Sequence, residues 1–178
     1  MSERIAFVDE SRRGQRYILA CVLTEVQFLG GLRRDLRSLV SPPKRRIHFN
    51  AEPAGRRRLL LERFEQMPIE AVAVVSTIAR DAREFEARAA ALTSVIRLLQ
   101  QARVGRLVIE SRDAADREDR RTIERARLDD PDLVYEHQRP QDEPALWLSD
   151  AYAWAVGAGP TWTSLLPRTL STLRQPAS

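Results

Sequence analysis

Apolar residues fall into two kinds of run along the chain. Ile5-Ala6-Phe7-Val8, Tyr17 to Leu23, residues 69–79 and Leu107-Val108-Ile109 are nearly unbroken and β-branched in character, the pattern of strands buried on both faces. Gly14, between the first two, marks a hairpin. Elsewhere the apolar positions recur at helical spacing. Such stretches are 25–40 (Phe28, Leu32, Leu36), 82–102 (Phe85, Leu92, Leu99) and 143–157 (Leu146, Trp147, Trp154). Pro42-Pro43 and Pro68 stop helices, and Asn50 is placed to cap one that tolerates Pro53 early and shows Leu59, Leu60 and Phe64 on its apolar face. A charged helix over about 115–128 follows a cap at Asp113, and Leu133-Val134-Tyr135 reads as a last strand. Gly157, Gly159 and Pro160 close the helix of 143–157, after which Trp162, Leu165 and Leu166 can pack back as a tail.

This order of hairpin, helices and then alternating strands and helices predicts an α/β fold, a mixed five-stranded sheet flanked by helices. The 178 residues suit one domain, taken as 1–160 with a C-terminal tail at 161–178, and no repeat or long linker divides them. Cys21 stands alone inside an apolar run, so a disulfide framework or cysteine-based zinc site is excluded and a buried, inert thiol is expected. No apolar run approaches the ~18 residues of a membrane span, and the amino terminus lacks a signal-peptide pattern. A soluble, cytoplasmic protein is expected.

Charge changes the picture once it is located. The net charge is only +4, and all but one of the 29 basic residues are arginine, Lys44 being the exception. From Arg33 to Arg63 ten Lys or Arg stand against three acids, whereas from Val108 to Glu143 seven Arg stand against twelve. A basic stretch can guide a phosphate backbone and an acidic one can hold divalent cations; the same pattern also suits two solvated or salt-bridged helix surfaces.

Three acids sit on apolar elements. Asp9 and Glu110 each follow a short apolar strand, and ligands of open α/β sheets bind beyond the carboxyl ends of strands. If the two strands are parallel neighbours, the carboxylates converge and need a shared proton or a cation between them. Acids at strand ends are equally ordinary as turn residues. Asp150 lies in mid-helix beside Trp147, Ala151 and Trp154, where a buried carboxylate needs a metal or an arginine, unless it shares a narrow polar stripe with Ser149. His48, between Ile47 and Phe49 and after Lys44-Arg45-Arg46, is positioned to bind phosphate or move a proton, or is a plain surface histidine. His137 reads as structural or exposed. GxGxxG, P-loop, HExxH and GxSxG motifs are absent, and carboxylates without matching histidines or cysteines suit Mg²⁺ or Mn²⁺ rather than zinc.

Four short motifs, Val8-Asp9-Glu10-Ser11, Arg46-Ile47-His48-Phe49, Val108-Ile109-Glu110 and Leu148-Ser149-Asp150-Ala151, together resemble a large bacterial family known as the domain of unknown function thirty-eight hundred. The resemblance spans about residues 4–157 and implies an RNase H-like fold. It implies that Asp9, Glu110 and Asp150 are the metal-holding acids, with Glu10 and His48 on the family's own motif positions. The family's Gly after Ser11 is replaced by Arg12-Arg13, which implies a longer hairpin turn, and the middle-strand acid is Glu rather than Asp.

Two functions of different kinds follow. One is a metal-dependent nuclease in which Asp9, Glu110 and Asp150, assisted by Glu10 and His48, hydrolyse phosphodiester bonds of RNA or DNA. Lys44, Arg45, Arg46, His48 and Arg56 of the basic segment would carry the nucleic-acid backbone. The other is a non-catalytic module that binds nucleic acid or protein through its arginines. A homo-oligomer or larger complex is a third expectation, resting on the apolar tail.

Overall fold

The computed structural model describes residues 3–78, 84–112, 114–127, 132–166 and 170–174. A hairpin opens the chain: β1 (Arg4–Arg13) and β2 (Arg16–Glu25) pair antiparallel from Arg4↔Glu25 to Arg13↔Arg16. Helix α1 (Val26–Ser38), a single 3-10 turn (Phe49–Ala51) and α2 (Ala54–Glu65) lead to β3 (Glu70–Thr77). Then α3 (Glu84–Gln101), β4 (Arg106–Glu110), α4 (Asp116–Ala126) and β5 (Val134–Gln138) alternate. Helix α5 (Leu146–Ala158), the short α6 (Pro160–Thr163) and β6 (Leu170–Arg174) complete the fold.

The strands form one mixed sheet in the order β5-β4-β1-β2-β3-β6. β4 runs parallel to both β1 and β5, and β6 runs parallel to β3. The sheet thus has six strands where five are expected from the sequence. The added one lies in the segment read as a tail: Leu170–Arg174 covers the free edge of β3, which would otherwise expose unpaired backbone groups. Leu166 is buried, and Trp162 and Leu165 pack against the core.

Side chains alternate across a strand, so each face of the sheet takes every second residue. Ile5 and Phe7 of β1 face the layer formed by α1, α2 and α5, while Ala6 and Val8 face α3 and α4. Full burial of large side chains such as Phe7, Phe49 and Trp147 stabilises these layers by roughly 1.5–3 kcal/mol each. Helix α5 is buried nearly all round, and Ser149 is drawn onto the sheet by donating a 2.8 Å hydrogen bond to the Phe7 carbonyl. Cys21 is buried, with burial pushing its thiol up to about 12.

Several local expectations are corrected. Asp9-Glu10-Ser11 do not end β1; the strand continues to Arg13, and the hairpin turn is only Gly14-Gln15. Gly14 (φ +59°) supplies the positive φ needed at the first position of a tight turn, so the extra arginines lengthen the strands rather than the loop. Asn50 caps no long helix: it lies in the 3-10 turn, and α2 begins three residues after that turn ends. Leu59, Phe28 and Phe85 are exposed although placed on apolar helix faces; Leu61, not Leu59, joins Leu60 and Phe64 in the core. The cap at Asp113, the start of the third helix at Ala82 and the end of the charged helix at Leu128 lie outside the described residues.

Candidate functional site

The register of β1 and β4 explains why two acids meet. Pairing runs from Ile5↔Arg106 to Val8↔Ile109, so the next residues, Asp9 and Glu110, stand side by side where β4 ends. By alternation Asp9 shares the face of Phe7, and Glu110 that of Val108, which is the face covered by α5. Asp150 reaches the same place from α5, where it is the only residue between Leu146 and Ala155 that is not buried.

These three acids, with Glu10, His48 and Arg46, line one pocket of about 260 Å³. Arg112, Pro140 and Trp147 add to its wall. Trp147 fixes the Pro140 side by donating its indole N–H to the Pro140 carbonyl at 2.7 Å. The 48–50 segment closes another side. The Phe49 amide donates to Asp150 Oδ2 at 2.9 Å, and His48 Nδ1 lies 3.6 Å from the same oxygen with its ring half exposed.

Electrostatics separate the carboxylates into two groups. Burial drives the Asp9 carboxyl well above its ordinary value; a hydrogen bond with Glu110 and the negative charges of Glu110 and Asp150 add to this, and Arg88 opposes it only weakly. Burial also raises Asp150, with the Phe49 amide and His48 pulling it back. Glu10 differs from its neighbour, because Arg88 and Arg112 both bind its carboxylate. The pocket therefore gathers three carboxylates, with Arg46 near Glu110 and His48 near Asp150, on hard oxygen donors with no sulfur among them. These donors fit a divalent cation such as Mg²⁺ or Mn²⁺, with Asp9, Glu110 and Asp150 as the residues able to hold it.

The basic residues expected to carry nucleic acid are placed unevenly. Arg46 reaches the pocket, 4.0 Å from Glu110, and Arg45 is exposed. Lys44 and Arg56 instead flank the buried Glu52, at 2.7 and 3.5 Å, and Arg56 also donates to the Leu39 carbonyl. Their charges fix the loop before α2.

A second cluster escapes sequence reasoning. Arg88, buried on α3, donates to both oxygens of Asp119 at 2.7 and 2.6 Å, to Tyr17 at 3.0 Å and to Glu10. His137, read as structural or exposed, is nearly buried on β5, with Nε2 3.4 Å from Asp119 Oδ2 and 3.9 Å from Asp116 Oδ1. Burial works to raise the Asp119 carboxyl, but hydrogen bonds from Arg88 and His137 outweigh it and hold the group below its ordinary value. Asp116, Asp119 and His137 offer ligand atoms within 4.8 Å of one another. The Arg88 fork already occupies both Asp119 oxygens, so this cluster is an ion-paired network behind Glu10. The signal that marks it is a lone charge on an apolar helical stripe: Arg88 sits with Ala91, Leu92 and Val95, and Asp119 four residues before Ile123.

Solved structures share this architecture, among them two ribonucleases. One is the ribonuclease H2 from Pyrococcus horikoshii OT3, 14% identical, with a TM-score of 0.62 over 87% of this chain and 72% of that one. The other is the RNase HII in the PCNA:RNase HII complex from Archaeoglobus fulgidus, 15% identical, with a TM-score of 0.55 over 86% of this chain and 71% of the other. The fold is RNase H-like. At these identities the likeness establishes the RNase H-like architecture alone. No protein-family model matches the chain, and no curated protein matches it in sequence. Among the described residues no helix is long and apolar enough to cross a membrane.

Proposed function

We propose that the protein is a divalent-metal-dependent nuclease that hydrolyses phosphodiester bonds in nucleic acid, with Asp9, Glu110 and Asp150 holding the cation. The observation that carries this reading is the convergence of three carboxylates from β1, β4 and α5 on one pocket, where burial and the neighbouring acids hold the Asp9 carboxyl well above its ordinary value. The RNase H-like fold adds weight, since two of the solved neighbours are ribonucleases by name.

A Mg²⁺ or Mn²⁺ ion held by Asp9, Glu110 and Asp150 would supply charge for a phosphoryl oxygen and lower the pKa of an attacking water. The chain's own groups do the rest. The Phe49 amide orients Asp150 through Oδ2, fixing the direction of that carboxylate. Arg46 and Arg112, on the pocket wall, are placed to pair with non-bridging phosphate oxygens. Exposed His48, beside Asp150, is placed to pass a proton between the pocket and solvent. Glu10, clamped by Arg88 and Arg112, orients Arg112 rather than offering a free carboxylate.

The test is incubation of the purified protein with end-labelled RNA, DNA and RNA–DNA hybrid in Mg²⁺ or Mn²⁺, beside Asp9→Asn and Asp150→Asn. Cleavage by the native protein alone is expected; cleavage that survives both substitutions overturns the assignment. Calorimetric titration with Mn²⁺ separates this reading from a non-catalytic binding module, for which no uptake at low millimolar concentration is expected.

A further inference from the structure

We propose that Trp154 and Trp162, with the arginines laid against them, form a track that binds the phosphodiester backbone of a nucleic-acid strand beyond the cleavage pocket. The proposal deepens the nuclease reading and rests on it.

Four elements converge to build the track. The Trp154 ring, from α5, has the Arg57 guanidinium of α2 at 4.2 Å from its centroid and that of Arg13, at the end of β1, at 5.0 Å. Trp162, from α6, meets Trp154 edge to face at 5.1 Å and carries the Arg58 guanidinium at 5.2 Å. Arg57 is committed to structure, because it donates to the carbonyls of Phe49 and Asn50 at 2.9 and 2.7 Å. Arg13 and Arg58 are not: among the described residues no carboxylate lies within ion-pairing distance of either, unlike Lys44 and Arg56 on Glu52 or Arg33 on Glu143. A guanidinium lying on an aromatic ring keeps a fixed plane, so less freedom is lost when its N–H edge clasps a phosphate.

The track starts one helical turn from the pocket. Trp154 lies one helical turn beyond Asp150 on α5, about 6 Å along the axis, or roughly two steps of the ~3.4 Å rise per nucleotide of a strand. The segment that orients Asp150 also holds the first ring: Asn50 Oδ1 accepts from the Trp154 indole N–H at 2.9 Å, and Phe49 packs edge to face on it at 5.4 Å. Close packing at this point requires a glycine. A Cβ on Gly157 would meet Arg13 Cγ at 2.9 Å, so the α5 backbone approaches closely enough to seat Arg13 beside the ring. Ring-held cations beyond a set of carboxylates suit a polyanion whose reacting phosphate is bound by the acids and whose neighbours need charge compensation.

The experiment measures fluorescence anisotropy of labelled 16-nucleotide RNA–DNA hybrid, single-stranded RNA and single-stranded DNA in EDTA, at several salt concentrations. It compares the native protein with Arg13→Gln, Arg58→Gln, Arg58→Glu and the double Gln variant. Arg58 is exposed, so its two variants report on binding without loss of the fold. We expect each Gln variant to raise Kd about three- to tenfold, Arg58→Glu to raise it further, and the double variant to reduce the salt slope on duplex by about 2. Arg121→Gln, on α4, is the control and should leave Kd unchanged. Native binding with unaltered Kd and salt slope in all four variants overturns the track while leaving the nuclease reading intact. Native protein that binds none of the three probes overturns the track as well. Variant-sensitive binding without cleavage in Mg²⁺ or Mn²⁺ supports the track and removes the nuclease.

Discussion

Asp9 and Glu110 stand next to each other one step past the last paired residues of two parallel strands, Val8 and Ile109. Parallel pairing with this register leaves both carboxylates on the face beneath α5, where burial first, and then the hydrogen bond with Glu110 and repulsion from it, hold the Asp9 carboxyl well above its ordinary value.

Removing that repulsion has opposite effects on stability and function. Asp9→Asn keeps the oxygen that accepts the Glu10 amide hydrogen bond at 2.7 Å, so the backbone geometry survives. The metal-free variant is expected to melt higher than the native protein at pH 7, by roughly 2–4 °C if relief of the charge is worth about 1 kcal/mol. Cleavage should fall by more than the roughly 10–100-fold that loss of a mere hydrogen-bonding neighbour of a metal ligand costs. Calorimetry and a labelled-oligonucleotide assay check the two arms.

The same charges set the pH dependence. Unfolded aspartate ionises near about 3.9, whereas Asp9 and Asp150 ionise higher in the folded chain, so the folded state holds more protons between those values. Stability from this source is fully present below about pH 4 and is lost as pH rises through the raised values. Asp116 and Asp119, held low, act in the other direction and lose their contribution only on stronger acidification. Urea midpoints measured in EDTA should therefore decline from pH 5 to pH 8. Mn²⁺ should restore the midpoint at the upper end, and the decline should be shallower in Asp9→Asn.

Arg88 holds two carboxylates that have little solvent to fall back on. Arg88→Met removes the guanidinium from the buried Asp119, leaving only His137 near it, and leaves Glu10 with Arg112 alone; it is expected to cost about 3–5 kcal/mol, the range for breaking a buried ion pair. Arg121→Ala, which breaks an exposed pair with Glu118, should cost under about 1 kcal/mol. Equilibrium urea unfolding compares them directly; equal costs would contradict the buried network.

His48 is half exposed and packs little, so His48→Ala should leave stability within about 0.5 kcal/mol of native. Cleavage should drop about 100-fold, the lower end of what a positioned acid or base contributes, and the pH–rate profile should lose one limb. A profile unchanged in shape would remove His48 from proton transfer.

Much of the fold was legible because burial on a sheet imposes its own pattern. Tyr17 to Leu23 and Leu107-Val108-Ile109 are apolar without interruption, as in a strand covered on both faces, and Asp150 was visible as a lone acid on an otherwise apolar helix. What the sequence concealed depends on contacts between distant segments. β6 has no marked apolar run and exists because β3 offers it a parallel edge. The adjacent Asp9 and Glu10 look like a pair, yet strand alternation sends one toward α5 and the other to arginines 78 and 102 residues away. Lys44 and Arg56 read as phosphate ligands until the buried Glu52 between them is seen, and His137 reads as idle until α4 brings Asp119 to it. Local sequence thus determined which elements form and which acids lie on apolar ground, through periodicity and the cost of burying charge. Which charges neutralise each other was decided only by tertiary structure, because ion pairing depends on distance in space and these partners come from separate strands, helices and loops.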